Sequence, residues 1–381
     1  MFIENILSSQ LPTPCYVIDC DKLRTNFSLL QKRCEILNIK PLLAVKGFPL
    51  ALVYDEIREY IYGTSASSVF ELLLGNYINK ENHIHSLAYK QEEIEKILSN
   101  CDHIVFNSLK QWEKYKNILI TKYHSVSPGL RINPEYSEIS IDKYNTCLPN
   151  SRFGVTLDEL SQVDITGIEG FHLHVMCDQG ANTFLNVIEE VKNKFKKHLI
   201  DLKWINFGGG QQLVHNEFNI EILQGTLNEL VSDFKIQIYV EPCEPLTANC
   251  GYLITTVLDV IDRKENIAIL DTSACCHMPD VLEMPYTPDI IYPKTSNKKE
   301  AFSYTLAGVS CLAGDIIGKY EFKKQLQIGD KIIFSDMGAY TFAKETYFNG
   351  INYPAIVLYE KQKGFSLVKQ FDFQDYKKNY S

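Results

Sequence analysis

Short apolar runs alternate with amphipathic patterns eight times before about residue 250, and no other feature limits the fold of this chain so tightly. The runs are Leu42–Val45, Ile61–Ser65, His83–Ala88, His103–Asn107, Gly129–Asn133, Gly170–Val175, Trp204–Phe207 and Ile236–Val240. Runs this short and apolar read as strands of a parallel sheet buried on both faces. Helical spacing fills most of the gaps, over Val69–Ile78, Gln91–Leu98, Leu109–Leu119, Thr183–Leu199 and Ile220–Phe234. Ahead of the first run, Leu23, Phe27, Leu30, Cys34 and Leu37 give one apolar face to Lys22–Leu37, which Asp19 or Asp21 would cap. Eight such β/α units point to an α/β fold with a closed (β/α)8 TIM barrel over residues 20–250, rather than an open sheet.

Beyond residue 250 the rhythm changes. Ile254–Asp262, Ile267–Asp271, Lys331–Phe334 and Ala355–Tyr359 are rich in Val, Ile, Thr and Tyr, with few helical stretches, which predicts a β-domain. Residues 13–19, TPCYVID, also read as a strand but have no place in the barrel. The expectation is that this N-terminal strand joins the C-terminal sheet, so that 1–19 and 251–381 form one domain. Lys298–Glu300 and the tail Tyr376–Ser381 read as solvated surface.

The balance of 38 basic and 47 acidic residues gives a net charge of −9, which disfavours nucleic acid and anionic membranes as partners. No apolar run is long enough to span a bilayer. The opening MFIENILSSQLPTP lacks the basic region, apolar core and cleavage site of a secretory signal, so a cytoplasmic location is expected. Eleven cysteines are an odd number without a C-x-x-C pair, and they read as buried thiols rather than a disulfide framework. His172 and His174 alternate along one run with no third ligand at zinc-site spacing, so no metal centre is expected.

Lys46 follows the apolar run Leu42–Val45, where barrels place their chemistry. A lysine with its stem in apolar surroundings loses solvation, which favours a neutral, nucleophilic amine able to form a Schiff base with pyridoxal phosphate. The plain alternative is a lysine reaching into water. Phe207–Gly210, FGGG, follows the seventh run; glycines there let backbone N–H groups approach a phosphate, or simply make a tight turn. Glu241 ends the eighth run, where a carboxylate faces a pyridine nitrogen or only solvent. His174 suits stacking on a ring or a structural role. Cys311 and Asp315 in VSCLAGD, and Tyr340 in DMGAY, lie in glycine-bearing turns that function or packing alone would explain.

Taken in order, AVKGF, GTSASS, FHLHV, FGGG, VEPCEP, SCLAGD and DMGAYTFA…YFNG resemble the fold-type III decarboxylases of basic amino acids, which depend on pyridoxal 5'-phosphate. Within them the sequence is most similar to the carboxynorspermidine and carboxyspermidine decarboxylases, over essentially the whole chain. The resemblance implies an alanine-racemase-like barrel with a β-domain, assembled as a homodimer with shared active sites. It implies that Lys46 carries the cofactor, His174 stacks on its ring and Glu241 meets the pyridine nitrogen. Gly208, Gly209, Gly210 and Tyr340 would hold the phosphate. Cys311, contributed by the partner subunit, would return a proton to the carbanion, and Asp315 would meet the distal amine of a small cationic amino acid substrate.

Two departures bear on that substrate. Glu-Pro-Cys-Glu stands at 241–244 where the wider family has Glu-Pro-Gly-Arg, and Leu312 follows Cys311 where relatives tend to carry an acid. Glu244 suits a cationic group, and an acid matching Asp280 is expected to contact substrate in this branch. The expected reaction is decarboxylation of carboxynorspermidine or carboxyspermidine to norspermidine or spermidine, in polyamine biosynthesis. The alternatives are a diaminopimelate decarboxylase and a non-catalytic barrel-fold regulator.

Overall fold

The structure is a computed structural model that describes residues 2–284, 286–295 and 302–381, apart from the side chains of Glu244 and Pro245. Lys298–Glu300, expected at the surface, lie outside the described residues. Two compact units emerge, Arg24–Leu246 on the one hand and Met1–Leu23 with Thr247–Ser381 on the other. Among the described residues no helix is long and apolar enough to cross a membrane.

The strand β1 (Cys15–Asp19) belongs to the second unit. Eight parallel strands then close the barrel: β2 (Ile39–Ala44), β3 (Gly63–Ala66), β4 (Glu81–His85), β5 (His103–Phe106), β6 (Ser127–Arg131), β7 (Gly170–His172), β8 (Trp204–Asn206) and β9 (Gln237–Val240). Each overlaps one of the predicted runs; cover on both faces keeps strands such as His103–Phe106 mainly apolar, whereas β4 sets Glu81, His83 and His85 on one face. The longer flanking helices are Cys20–Leu37, Leu109–Lys122, Ala181–Leu199 and Glu221–Phe234. In Ala181–Leu199 the buried residues Phe184, Val187, Ile188, Val191, Phe195 and Leu199 follow helical spacing and make one apolar stripe. Asp19 caps Cys20–Leu37, its Oδ1 accepting from the Lys22 N–H at 3.1 Å. Helix Val69–Gly75 stops three residues short of its predicted end and tightens into a 3-10 turn over Asn76–Ile78. The only regular helix between β6 and β7 is the single turn Leu157–Leu160, among the described residues.

The second unit carries β10 (Gly251–Ile261), β11 (Asn266–Leu270), β12 (Ile290–Tyr292), β13 (Phe302–Ala307), β14 (Ile316–Phe322), β15 (Lys331–Ser335), β16 (Ala355–Glu360) and β17 (Gly364–Lys369). The path of the sheet is β14-β13-β11-β10-β1-β16-β17, with β15 on β10 and β12 on β15. β1 runs antiparallel to β10 and parallel to β16, so the N-terminal strand lies inside the C-terminal sheet. All five of its residues are buried, as a central strand requires. The sheet is larger than its sequence pattern showed: β12, β13, β14 and β17 are additional strands. Tyr16, Leu253, Tyr304, Phe322, Ile332 and Phe334 fill one of its cores.

Candidate active site

The barrel strands end in a ring of polar side chains on the side where β2 gives way to Lys46. Lys46 sits in the 3-10 turn Val45–Gly47, directly after β2, between buried neighbours. Among the described residues no ion pair or hydrogen bond engages its ammonium group.

β7 ends at His172, and His174 stands two residues beyond it rather than within the strand as expected. The N–H of Leu173 still bonds the Asn206 carbonyl at 2.8 Å before the chain leaves the sheet. His174 Nδ1 accepts the Gly209 N–H at 3.0 Å, which places any proton of the neutral ring on Nε2. Burial, with the cations Lys46 and Arg131 nearby, holds His174 well below the ordinary imidazole range. The ring is therefore neutral at physiological pH.

The glycine run is built against this histidine. Gly208 and Gly210 take left-handed φ of 65° and 96°. A Cβ on Gly208 would meet the Leu173 carbonyl at 2.5 Å, one on Gly209 the Glu241 carbonyl at 2.5 Å, and one on Gly210 the Met176 carbonyl at 2.2 Å. The three glycines are thus required by close backbone approach. The Gly208 N–H is taken by Asn206 Oδ1 at 2.8 Å and that of Gly209 by His174. Among the described residues the N–H groups of Gly210 and Gln211 have no such partner, and they are the donors left for an anion.

Glu241 follows β9 and is 4% exposed. Its N–H bonds the Gly208 carbonyl at 2.7 Å, which ties the acid to the glycine run. Oε1 accepts from Ser65 Oγ and from Asn206 Nδ2, both at 2.8 Å. His172 Nε2 lies 3.3 Å from Oε1 and His85 Nε2 3.4 Å from Oε2, and the two imidazoles stack with centroids 4.4 Å apart. Burial alone would raise the carboxyl, but His85 and His172 more than offset it and hold Glu241 well below the usual carboxylate range. The result is a buried, ionised carboxylate with four strands contributing its surroundings.

Sequence reasoning missed Ser65, His85, Arg131 and Asn206, and found in His172 only a histidine without ligands. Arg131 ends β6, buried, with its guanidinium 4.5 Å from the centre of the Phe153 ring. A charged or polar residue at the end of an apolar run was the available signal, since barrel strands carry their working side chains there.

Of the other expected residues, Asp280, Cys311, Asp315 and Tyr340 lie in the sheet unit and Glu244 in the barrel unit. Cys311 is exposed on the loop between β13 and β14, its N–H donated to Asn349 Oδ1 at 2.7 Å. Asp315, on the same loop, is 2% exposed. Its Oδ2 accepts from Ser273 Oγ at 2.8 Å and Ser310 N–H at 3.1 Å, and its Oδ1 from Ala274 N–H at 2.6 Å. That gives Asp315 a second role beside the one the resemblance implies, tying two loops together. Asp280 opens the turn Asp280–Glu283 and pairs with Lys344, which also meets Glu283 Oε2 at 2.9 Å. Tyr340 is half-buried with φ 57°, an unusual conformation for a bulky residue. Glu244 opens the turn Glu244–Thr247, and its side chain lies outside the description.

The family described as pyridoxal-dependent decarboxylase, C-terminal sheet domain, matches residues 15–338. The chain belongs to the pyridoxal-dependent decarboxylases. A carboxynorspermidine/carboxyspermidine decarboxylase of Campylobacter jejuni is 38% identical over 387 residues, covering 99% of both chains. A carboxyaminopropylagmatine decarboxylase of Synechocystis is 35% identical, covering 98% of this chain and 97% of that one. The crystal structure of carboxynorspermidine decarboxylase from Campylobacter jejuni, complexed with norspermidine, superposes with a TM-score of 0.89 at 36% identity, over 97% of this chain and all of that one. The site fits the cofactor this family uses: an unengaged lysine, a neutral imidazole, a cradle closed to Cβ atoms and an ionised carboxylate surround one barrel mouth. This chain is a carboxy-lyase of that family.

Proposed function

We propose that this enzyme removes the α-carboxylate of carboxynorspermidine and carboxyspermidine, releasing norspermidine and spermidine. The observation that carries the reading is the grouping of Lys46, His174, Gly208–Gly210 and ionised Glu241 at one barrel mouth, in a chain similar end to end to a decarboxylase of these substrates.

Lys46 Nζ would hold pyridoxal 5'-phosphate, which, when bound, supplies an electron sink for the carbanion left as CO2 departs. His174 would lie against its ring; being neutral, it adds no charge that would compete for the sink. Gly210 and Gln211 would donate to the phosphate, with Gly208 and Gly209 keeping the approach open and Tyr340 adding a hydroxyl. Glu241 would hold a proton on the pyridine nitrogen, and its two imidazoles and two hydrogen-bond donors keep it ionised and oriented for that task. Lys46 Nζ and Cys311 Sγ are the groups that would return a proton to Cα, with Cys311 coming from the partner subunit of a homodimer.

The substrates carry two distal nitrogens, both cationic near neutral pH, so their pocket requires carboxylates along its length. Glu244, Asp280 and Asp315 are the acids for this role. Losing a charged contact from a desolvated site costs roughly 2–5 kcal/mol. Ornithine, lysine and diaminopimelate have one distal amine and would leave an acid unmatched.

CO2 release is the measurement that tests this, over a panel of both carboxylated polyamines, carboxyaminopropylagmatine, diaminopimelate, ornithine, lysine and arginine. The two carboxylated polyamines should lead in kcat/KM, and borohydride should attach the pyridoxyl group to Lys46. Faster turnover of carboxyaminopropylagmatine would reassign the substrate, and a label on another lysine would displace Lys46.

A further inference from the structure

The barrel holds a second polar cluster at its opposite mouth, where β4 and β5 begin. Glu81 and His83 stand two residues apart on β4, so their side chains share one face of the strand. His103 opens β5 and pairs in register with His83. The three side chains converge. Glu81 Oε1 lies 2.7 Å from His83 Nε2 and 3.0 Å from His103 Nε2. The imidazoles stack with centroids 4.0 Å apart and planes within 8°, so both Nε2 atoms face the same carboxylate. All three donor atoms lie within 4.8 Å of one another.

We propose that Glu81, His83 and His103 bind one divalent transition cation, of the class of zinc, cobalt or nickel, at the N-terminal mouth of the barrel. Two imidazoles and one carboxylate are the donor set this class takes; magnesium and calcium want oxygen ligands and would be refused. Bonds of about 2.0–2.2 Å to zinc set ligand atoms roughly 3.3 Å apart, close to the spacing already present. The change required is a small opening of the two stacked rings, so that their lone pairs meet at one point. Neither Nδ1 makes a hydrogen bond to the protein, so turning the rings breaks none on that side. His83 is 2% exposed, while the side chains of His103 and Glu81 are 12% and 20% exposed, so the cation would be anchored inward and open outward. That leaves a coordination position for water.

The other cluster of this composition, His85, His172 and Glu241, does not support the same inference. Its carboxylate belongs to the reaction site, where Ser65 and Asn206 hold it toward the place of the pyridine nitrogen, whereas Glu81, which also bonds Tyr239, has no part in that site. The two clusters lie at opposite ends of β4, whose first residue is Glu81 and whose last is His85. The cation site therefore stands apart from the decarboxylase reading, and either can fail alone.

The test uses the tag-free, cofactor-loaded full-length protein, stripped by chelator and titrated with cobalt(II) chloride by calorimetry and visible absorption. One cobalt per chain is expected, with ligand-field bands and no thiolate charge-transfer band, and magnesium chloride should give no binding heat. Glu81→Gln and His103→Ala should each weaken cobalt roughly 100-fold or more, while His85→Ala should leave its affinity unchanged. Cobalt should raise the melting temperature of the wild type and of neither weakened variant. Absence of cobalt binding to the wild type, or equal affinity in folded Glu81→Gln and His103→Ala, would overturn the assignment. If both variants fail to fold, the wild-type spectrum decides, because a thiolate band would move the cation to one of the cysteines.

Discussion

An isolated carboxylate cannot be buried at tolerable cost, so the chain has to supply Glu241 with donors before it can serve the reaction. Ser65, Asn206, His85 and His172 are those donors and neighbours. The same contacts that offset burial also keep the side chain ionised, which makes stability and function one requirement at this residue. Glu241→Gln retains the shape but removes the charge, and the pyridine nitrogen loses its partner. Turnover should fall by roughly 100-fold or more, with the cofactor absorbance of the purified protein retained. A kcat near that of the wild type would remove Glu241 from the chemistry.

Three barrel strands make a slot for a single indole. Gly129 on β6, Gly170 on β7 and Trp204 on β8 are successive register partners. A Cβ on Gly170 would lie 2.0 Å from Trp204 Cδ2, and one on Gly129 2.3 Å from its Cη2. The indole fills the space that two absent side chains leave, and its Nε1 donates to Ser127 Oγ at 2.9 Å. Overpacking such a slot costs about 1–3 kcal/mol. Gly170→Ala should therefore lower the unfolding free energy by that amount in denaturant melts, and Trp204→Phe in the same background should recover part of it. An unchanged midpoint for Gly170→Ala would show that the slot has room to spare.

At the scale of the whole molecule, the proposed homodimer gives a complementation test. Lys46→Ala and Cys311→Ala chains, each inactive alone, should recover about one quarter of wild-type activity when mixed and allowed to exchange. Half of randomly formed dimers are mixed, and each then has one intact site of two. Recovery is read as CO2 release after subunit exchange has been verified by mass-tagged chains. No recovery with exchange complete would place Cys311 in its own chain's site or outside the reaction.

The barrel strands were legible where both faces are covered by apolar side chains, as in Leu42–Val45, and Lys46 was legible because it ends that run; β4, Glu81–His85, carries Glu, Asn and two His and was legible only by its place in the alternation. The motif residues also stood out, Gly208–Gly210 and Glu241 directly after such runs and His174 inside one. The sheet was only partly legible. β12 has three residues and β17 has no buried position, so neither carries a period to read. In β13 and β14 the buried Tyr304, Leu306, Tyr320 and Phe322 do alternate, and that pattern was available. What only tertiary structure decided is the company these residues keep. Ser65, His85, His172 and Asn206 come from four strands and meet at Glu241 because the barrel closes. Glu81, His83 and His103 meet because β4 and β5 pair in one register rather than another. Local sequence fixes which face of a strand a side chain takes, while strand pairing fixes its neighbour, and a pairing between distant segments leaves no mark in either segment alone.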